Sequence, residues 1–213
     1  MEFLDEAIEA YVERYTTEES KVLKELNRET YSRVLIPRML AGHLQGRVIS
    51  MFSHMINPRQ VLEIGTYTGY SALCWAEGLQ DEGQVHTIDV NEELEEMAAR
   101  YINKAGQTSS VVTYLGNALD IIPSIDKIFD VVYIDADKEN YSNYYDLVID
   151  KVRTGGYIIA DNVLWSGKVI EAEESQDEDT QALIAYCEKI QSDSRVINVL
   201  FPVRDGLLVA RKL

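Results

Sequence analysis

The chain has 213 residues, 46% of them hydrophobic, and a formal net charge of -16 at pH 7. This length and composition suffice for one α/β domain with a sizeable core. The excess of acids argues against a nucleic-acid backbone as the main partner, because phosphate binding depends on lysine and arginine. Apolar runs fall short of the ~20 residues of a membrane span, and Met1–Glu6 lacks the basic and apolar regions of a signal peptide. With Cys74 and Cys187 far apart, the chain is expected to be a cytoplasmic protein with reduced thiols.

The first quarter of the chain is predicted to be helical. Apolar residues recur at helical spacing near the N-terminus, at Phe3, Leu4, Ala7, Ile8 and Tyr11. We therefore expect a single domain over residues 1–213, in which residues 1–58 form a helical cap and residues 59–213 form the core.

From residue 60 onward, short apolar segments alternate with amphipathic ones. Strands are predicted at Gln60–Ile64, Gln84–Asp89, Val111–Leu115, Asp130–Asp135, Gly156–Ala160, Arg195–Phe201 and Leu207–Arg211. Helices are predicted at Tyr70–Leu79, Asn91–Ala105, Ala118–Ile125, Asn140–Lys151 and Asp179–Gln191. Repeated strand–helix units predict a Rossmann-like, doubly wound α/β fold with a mostly parallel seven-stranded sheet. The short link between the last two strands permits only an antiparallel pair, which predicts a reversed edge strand.

A glycine-containing turn follows the first strand. Its glycines, Gly65 and Gly69, are spaced G-x-x-x-G, whereas a dinucleotide fingerprint has the spacing G-x-G-x-x-G. Glu63 precedes the turn and would repel a phosphate, so the turn favours a cationic sulfonium cofactor such as S-adenosylmethionine. Asp89 ends the second strand, 20 residues past Gly69, where a carboxylate can accept hydrogen bonds from both ribose hydroxyls.

Acidic and amide side chains follow two later strands. Asp135 follows one apolar strand, and Asp161 and Asn162 follow the next. If these strands are neighbours, two carboxylates and an amide oxygen converge, and carboxylates that close repel unless a cation joins them. An all-oxygen set favours Mg²⁺, with Ca²⁺ or Mn²⁺ as further options. The alternative is that Asp135 caps a helix and Asp161-Asn162 forms a turn.

Three further features of the sequence each have two interpretations. Lys138 lies one helical turn beyond Asp135 and is a candidate general base, or else a surface lysine. Trp165 is either an aromatic wall for a flat acceptor or a core residue. The acidic run over residues 171–179 is either a solvated loop before a helix or a specificity loop.

Four motifs together resemble the class I, metal-dependent O-methyltransferases related to catechol and caffeoyl-CoA O-methyltransferases. They comprise residues 61–71 (VLEIGTYTGYS), 134–141 (IDADKENY), 161–167 (DNVLWSG) and 204–207 (RDGL). The resemblance extends from about Ile36 to the C-terminus. It implies a homodimeric enzyme that uses S-adenosylmethionine and a divalent metal.

The resemblance also implies roles for individual residues. The metal ligands would be Asp135, Asp161 and Asn162, and Lys138 would be the catalytic lysine. The implied cofactor contacts are Met39, Glu63, Gly65, Tyr67, Ser71, Asp89, Ala118 and Asp135.

These observations predict a methyltransferase that acts on a hydroxyl of a small phenolic or catechol-like acceptor. The acidic run stands where the plant enzymes carry basic residues that recognise coenzyme A, so a CoA ester is disfavoured. The alternative is a tRNA 5-hydroxyuridine O-methyltransferase, which the negative charge disfavours without excluding it. A Rossmann dehydrogenase would need the dinucleotide fingerprint, which the sequence lacks.

Overall fold

A computed structural model describes residues 5–213, so the predicted helical positions Phe3 and Leu4 lie outside the described residues. Before the first strand the chain forms α1 (Glu6–Arg14), α2 (Lys21–Arg33), a short 3-10 helix (Pro37–Met39) and α3 (Gly42–Ile56). The Asp5 and Ser20 side chains accept hydrogen bonds from backbone N–H groups in the first turns of α1 and α2. Helices are thus present in this segment, separated by non-helical connections, and its role as a cap stays a prediction.

Seven strands and five further helices follow. The strands are β1 (Gln60–Ile64), β2 (Gln84–Asp89), β3 (Val111–Leu115), β4 (Phe129–Ile134), β5 (Val152–Asp161), β6 (Val196–Phe201) and β7 (Leu207–Lys212). The helices are α4 (Tyr70–Ala76), α5 (Glu92–Lys104), α6 (Ala118–Ser124), α7 (Tyr141–Val148) and α8 (Glu178–Ser192). Every predicted strand and helix is present.

Several predicted boundaries differ from the observed ones, and the largest differences lie in β5 and in the segment before it. β5 begins at Val152, four residues before the predicted start at Gly156. The prediction missed this part of the strand because residues 153–155 are not buried and lack the apolar pattern of a buried strand. The helix predicted over 140–151 is divided into a 3-10 turn (Lys138–Asn140), α7 and a second 3-10 turn (Ile149–Lys151).

The strands form one sheet in the order β3-β2-β1-β4-β5-β7-β6. β2 pairs with β3 in parallel, and β4 pairs with β5 in parallel. The reversed strand is β7, which pairs antiparallel with both β5 and β6. The edge strand β6 is therefore antiparallel to its neighbour, and the predicted Rossmann-like, mostly parallel sheet is confirmed.

The described residues form two compact units. One unit comprises Leu62–Gly65 and Ala118–Leu213, and the other comprises 5–61 and Thr66–Asn117. The first has a core that includes Phe129, Val131 and Tyr145, all 0% exposed. The second buries Trp75 and Val85 equally completely. The prediction of a single domain stays a prediction. Within residues 5–213, the helices are too short or too polar to cross a membrane.

Candidate active site

The carboxyl ends of β4 and β5 bring the predicted metal ligands to one edge of the sheet. These strands are parallel neighbours, with Ile134 opposite Ala160. Asp135 directly follows β4 and Asp161 is the last residue of β5. The two aspartates therefore occupy equivalent positions on adjacent strands, which is the neighbour relation that the metal prediction required.

Gly65 lies against the backbone of Asp135. The Asp135 N–H donates a hydrogen bond to the Ile64 carbonyl over 2.9 Å. A Cβ atom at Gly65 would lie 1.9 Å from the Asp135 carbonyl oxygen, and the glycine has a φ of +106°. Only glycine tolerates both the dihedral angle and the contact, so the first glycine of the turn is needed for the placement of Asp135.

Lys138 lies among the candidate ligands. Its side chain is 8% exposed, and its Nζ donates to the Tyr141 hydroxyl over 2.6 Å and to Asn162 Oδ1 over 2.9 Å. The same atom is 3.4 Å from Asp135 Oδ1 and 5.5 Å from the centroid of the Trp165 ring. The side-chain nitrogen thus lies between a carboxylate oxygen and an amide oxygen, with an aromatic ring beside it.

Hydrogen bonds orient the Asp161 side chain, which is 2% exposed as a residue. Its Oδ1 accepts the Asn162 backbone N–H over 2.7 Å, and the Asn162 amide Nδ2 lies 3.3 Å away. Its Oδ2 accepts the Tyr133 hydroxyl over 2.8 Å. The Tyr141 hydroxyl donates to the Asp161 carbonyl over 3.0 Å. Burial raises the pKa of Tyr141 well above its usual value, and the Asp135 and Asp161 charges add to the rise.

The turn between β6 and β7 braces the loop that begins at Asn162. Asn162 has a φ of +60°, in the left-handed region. Asp205 in the turn holds the residues that follow Asn162. The Leu164 N–H donates to the Asp205 carbonyl over 2.8 Å, and the Asp205 carboxylate accepts the Ser166 N–H. A Cβ atom at Gly206 would lie 2.5 Å from Leu164 Cγ. The motif at residues 204–207 therefore supports the loop that carries Asn162.

Asp135, Lys138, Asp161 and Asn162, with the tyrosines that contact them, are called the cluster below. The oxygen donors of the cluster suit a hard divalent ion. Asp135, Asp161 and Asn162 supply oxygens alone, which favour Mg²⁺, Ca²⁺ or Mn²⁺. Within residues 5–213, no three His, Cys, Asp or Glu side chains are grouped to hold an ion. The present set has only two carboxylates, and its third member is an amide.

The second unit contains the rest of the glycine turn. Tyr67 has a φ of +50°, and its N–H donates to Asp89 Oδ2 over 2.6 Å. Asp89 Oδ1 accepts the Asn91 N–H over 2.9 Å. An ionised carboxylate has about four acceptor sites, so Asp89 can accept further hydroxyl groups. Asp89 and Tyr67 also line a pocket together with Ala98 and Leu115.

The remaining predicted cofactor residues have varied surroundings. Met39 ends a 3-10 helix and is 58% exposed, and Ser71 lies in the first turn of α4. Both belong to the same unit as Tyr67 and Asp89. Glu63 in β1 is 0% exposed and Ala118 at the start of α6 is 5% exposed, and both belong to the unit of Asp135. Their contacts with a cofactor stay predictions.

Two tyrosines of the cluster were not singled out by the sequence. The Tyr141 hydroxyl contacts the Lys138 amine over 2.6 Å. Tyr133 lies in a predicted strand, and its hydroxyl contacts the Asp161 carboxylate over 2.8 Å. One signal for Tyr133 was available, since it lies two residues before Asp135 and so on the same face of the strand.

Comparison with known proteins assigns the chain to one family. The family model described as O-methyltransferase matches residues 13–213. Caffeoyl-CoA O-methyltransferase 5 of Nicotiana tabacum is 32% identical over 209 residues, covering 92% of this chain and 85% of the relative. The chain therefore belongs to the O-methyltransferase family.

Solved structures agree with that assignment. The SAH-bound Podospora anserina methyltransferase PaMTH1 is 27% identical with a TM-score of 0.90, covering 100% of this chain and 98% of that one. The O-methyltransferase from Bacillus cereus in complex with SAH is 28% identical with a TM-score of 0.89, covering 97% of each chain. The prediction of a S-adenosylmethionine-dependent O-methyltransferase is confirmed.

Proposed function

We propose that this enzyme methylates a hydroxyl of a small phenolic or catechol-like acceptor with the help of a divalent ion. The observation that carries the proposal is the cluster around Lys138, in which a buried amine lies 2.9 Å from Asn162 Oδ1 and 3.4 Å from Asp135 Oδ1. A buried base among hard oxygen ligands is suited to the deprotonation of a hydroxyl group. The curated relatives named for caffeoyl-CoA support a phenolic acceptor.

Asp135, Asp161 and Asn162 would hold the ion, and Lys138 would accept the acceptor's proton. When bound, a divalent ion supplies Lewis-acid chemistry and a template for two vicinal oxygens. The acceptor oxygen then forms a bond to the methyl carbon of S-adenosylmethionine as the carbon–sulfur bond breaks, and the sulfonium becomes the neutral thioether. Residues Glu63, Gly65, Tyr67 and Asp89 would hold the methyl donor. Much of the acceleration would come from the alignment of donor and acceptor.

The loop after the cluster supports an acceptor without a coenzyme A group. Residues 171–179 include a 3-10 turn at Glu173–Ser175, and Asp177 then caps α8 by accepting the Thr180 N–H over 2.9 Å. Most of these side chains are exposed, and they would repel the phosphates of coenzyme A. The net charge of -16 likewise gives a tRNA substrate no support. A cytoplasmic location and a homodimer remain part of this proposal.

The test measures methyl transfer to a panel of catechols with and without EDTA. We expect activity that chelation abolishes and that Mg²⁺ or Mn²⁺ restores. Asp161→Ala should abolish transfer while S-adenosylmethionine affinity stays near that of the unmodified enzyme, and Asp146→Ala, at an exposed aspartate, should change neither. Activity that persists in EDTA would exclude the metal role, and transfer to tRNA alone would exclude the phenolic acceptor.

A further inference from the structure

Tyr133 is a buried residue that makes a specific contact with a candidate metal ligand. It lies in β4 and is 0% exposed. Its hydroxyl donates to Asp161 Oδ2 over 2.8 Å. Since β4 and β5 are parallel neighbours with Tyr133 opposite Ile159, the tyrosine reaches Asp161 diagonally across the two strands, a distance that aromatic side chains span.

The two oxygens of Asp161 are held from different sides. Oδ1 accepts the Asn162 N–H over 2.7 Å and lies 3.3 Å from the Asn162 amide nitrogen, and Oδ2 accepts the Tyr133 hydroxyl. The terminal torsion of an aspartate is broad, so contacts with Oδ1 alone would let Oδ2 turn about that oxygen. The hydrogen bond from the Tyr133 hydroxyl holds Oδ2 directly and so restricts that rotation.

We propose that Tyr133 is a positioning residue that fixes the Asp161 carboxylate for a divalent ion. This inference rests on the proposed function, because it requires Asp161 to be a metal ligand. Groups that hydrogen-bond a ligating carboxylate set its direction, and their loss typically weakens metal binding about 10- to 100-fold. Tyr133 does not touch the reacting atoms in this account, so its effect acts through ion affinity.

A matched control exists in the same unit. The Tyr145 hydroxyl also donates to an aspartate oxygen over 2.8 Å, but its partner is Asp193, at the end of α8. Tyr145 is as completely buried as Tyr133. Tyr133→Phe and Tyr145→Phe therefore make the same chemical change, because each removes a hydroxyl that donates to a carboxylate. Tyr133→Phe makes this change inside the cluster and Tyr145→Phe makes it outside the cluster.

The experiment is calorimetric titration of the full chain with Mn²⁺. We expect Tyr133→Phe to bind Mn²⁺ about 10- to 100-fold more weakly than the unmodified chain, and Tyr145→Phe to bind it equally well. Turnover of Tyr133→Phe should return to near the unmodified level at saturating Mn²⁺, a rescue that a general loss of structure would not give. If Tyr133→Phe does not fold, Tyr133→Met provides a second variant without the hydroxyl.

The outcomes separate the two proposals. If the unmodified chain and Asp161→Ala bind Mn²⁺ equally, or neither binds it, the proposed metal role fails and this inference fails with it. If Asp161→Ala loses binding while Tyr133→Phe retains full affinity, the metal role stands and the positioning role of Tyr133 is wrong.

Discussion

Replacing Gly65 with alanine should destabilise the protein through one identified contact. The new Cβ atom would lie 1.9 Å from the Asp135 carbonyl oxygen and 2.8 Å from its carbon, at a φ of +106°. The unfavourable dihedral angle costs about 1–2 kcal/mol. Forcing the backbone of Asp135 aside costs a further ~1–3 kcal/mol, the usual range for overpacking. We therefore expect the free energy of unfolding to fall by about 2–5 kcal/mol.

Gly106 provides the matched control. It has a φ of +70°, and a Cβ atom there would meet nothing within 4 Å. Gly106→Ala should therefore cost only the dihedral part, about 1–2 kcal/mol. Equilibrium unfolding in urea measures both changes, and Mn²⁺ titration of Gly65→Ala should also show weakened binding because Asp135 moves. Equal losses of stability in the two variants would refute the steric argument.

Three further predictions concern a buried hydroxyl, an ion pair and the candidate base. The Tyr186 hydroxyl is buried without a hydrogen-bond partner among residues 5–213. Tyr186→Phe should therefore leave the free energy of unfolding unchanged or raise it by up to ~1–3 kcal/mol. A clear loss of stability in urea unfolding would contradict this prediction. Hydrogen bonds from Arg100 and then Tyr101 lower the pKa of Glu29 to about 2 from 4.5, so its stabilising contribution is present above pH 4.5 and disappears as the pH falls towards 2. Glu29→Gln should lower the free energy of unfolding by on the order of 1 kcal/mol at pH 7, and by progressively less as the pH falls. Thermal unfolding measures the difference between the two proteins at each pH. A difference that stays constant across this pH range would exclude the ion pair as its cause. Lys138→Met should abolish methyl transfer without weakening Mn²⁺ binding, because it removes the proposed proton acceptor but none of the proposed ligand oxygens. Retained turnover would show that Lys138 is not the base.

Much of the sheet could be predicted because its strands are short, apolar and buried. The boundaries of β1, β2 and β3 agree with the predicted segments. The convergence of Asp135 and Asp161 was also predictable, since parallel neighbouring strands end at the same edge. The position of β7 between β5 and β6 was not, because a hairpin pattern does not say which of its strands pairs with the sheet.

The contacts within the cluster depend on features that sequence patterns do not encode. Lys138 meets Asn162 because a 3-10 turn, rather than a regular helix, carries the lysine, and because Asn162 adopts a left-handed φ of +60°. The Tyr133 and Tyr141 hydroxyls reach Asp161 through side-chain rotamers. Residue order and periodicity locate these residues on elements, but tertiary packing selects their rotamers.

The most direct measurement is the anomalous scattering of crystals grown with Mn²⁺ and S-adenosylhomocysteine. We expect one strong anomalous peak coordinated by oxygens of Asp135, Asp161 and Asn162, with Lys138 Nζ no longer 2.9 Å from Asn162 Oδ1. A map in which Lys138 keeps that hydrogen bond and manganese binds elsewhere, or not at all, would contradict it.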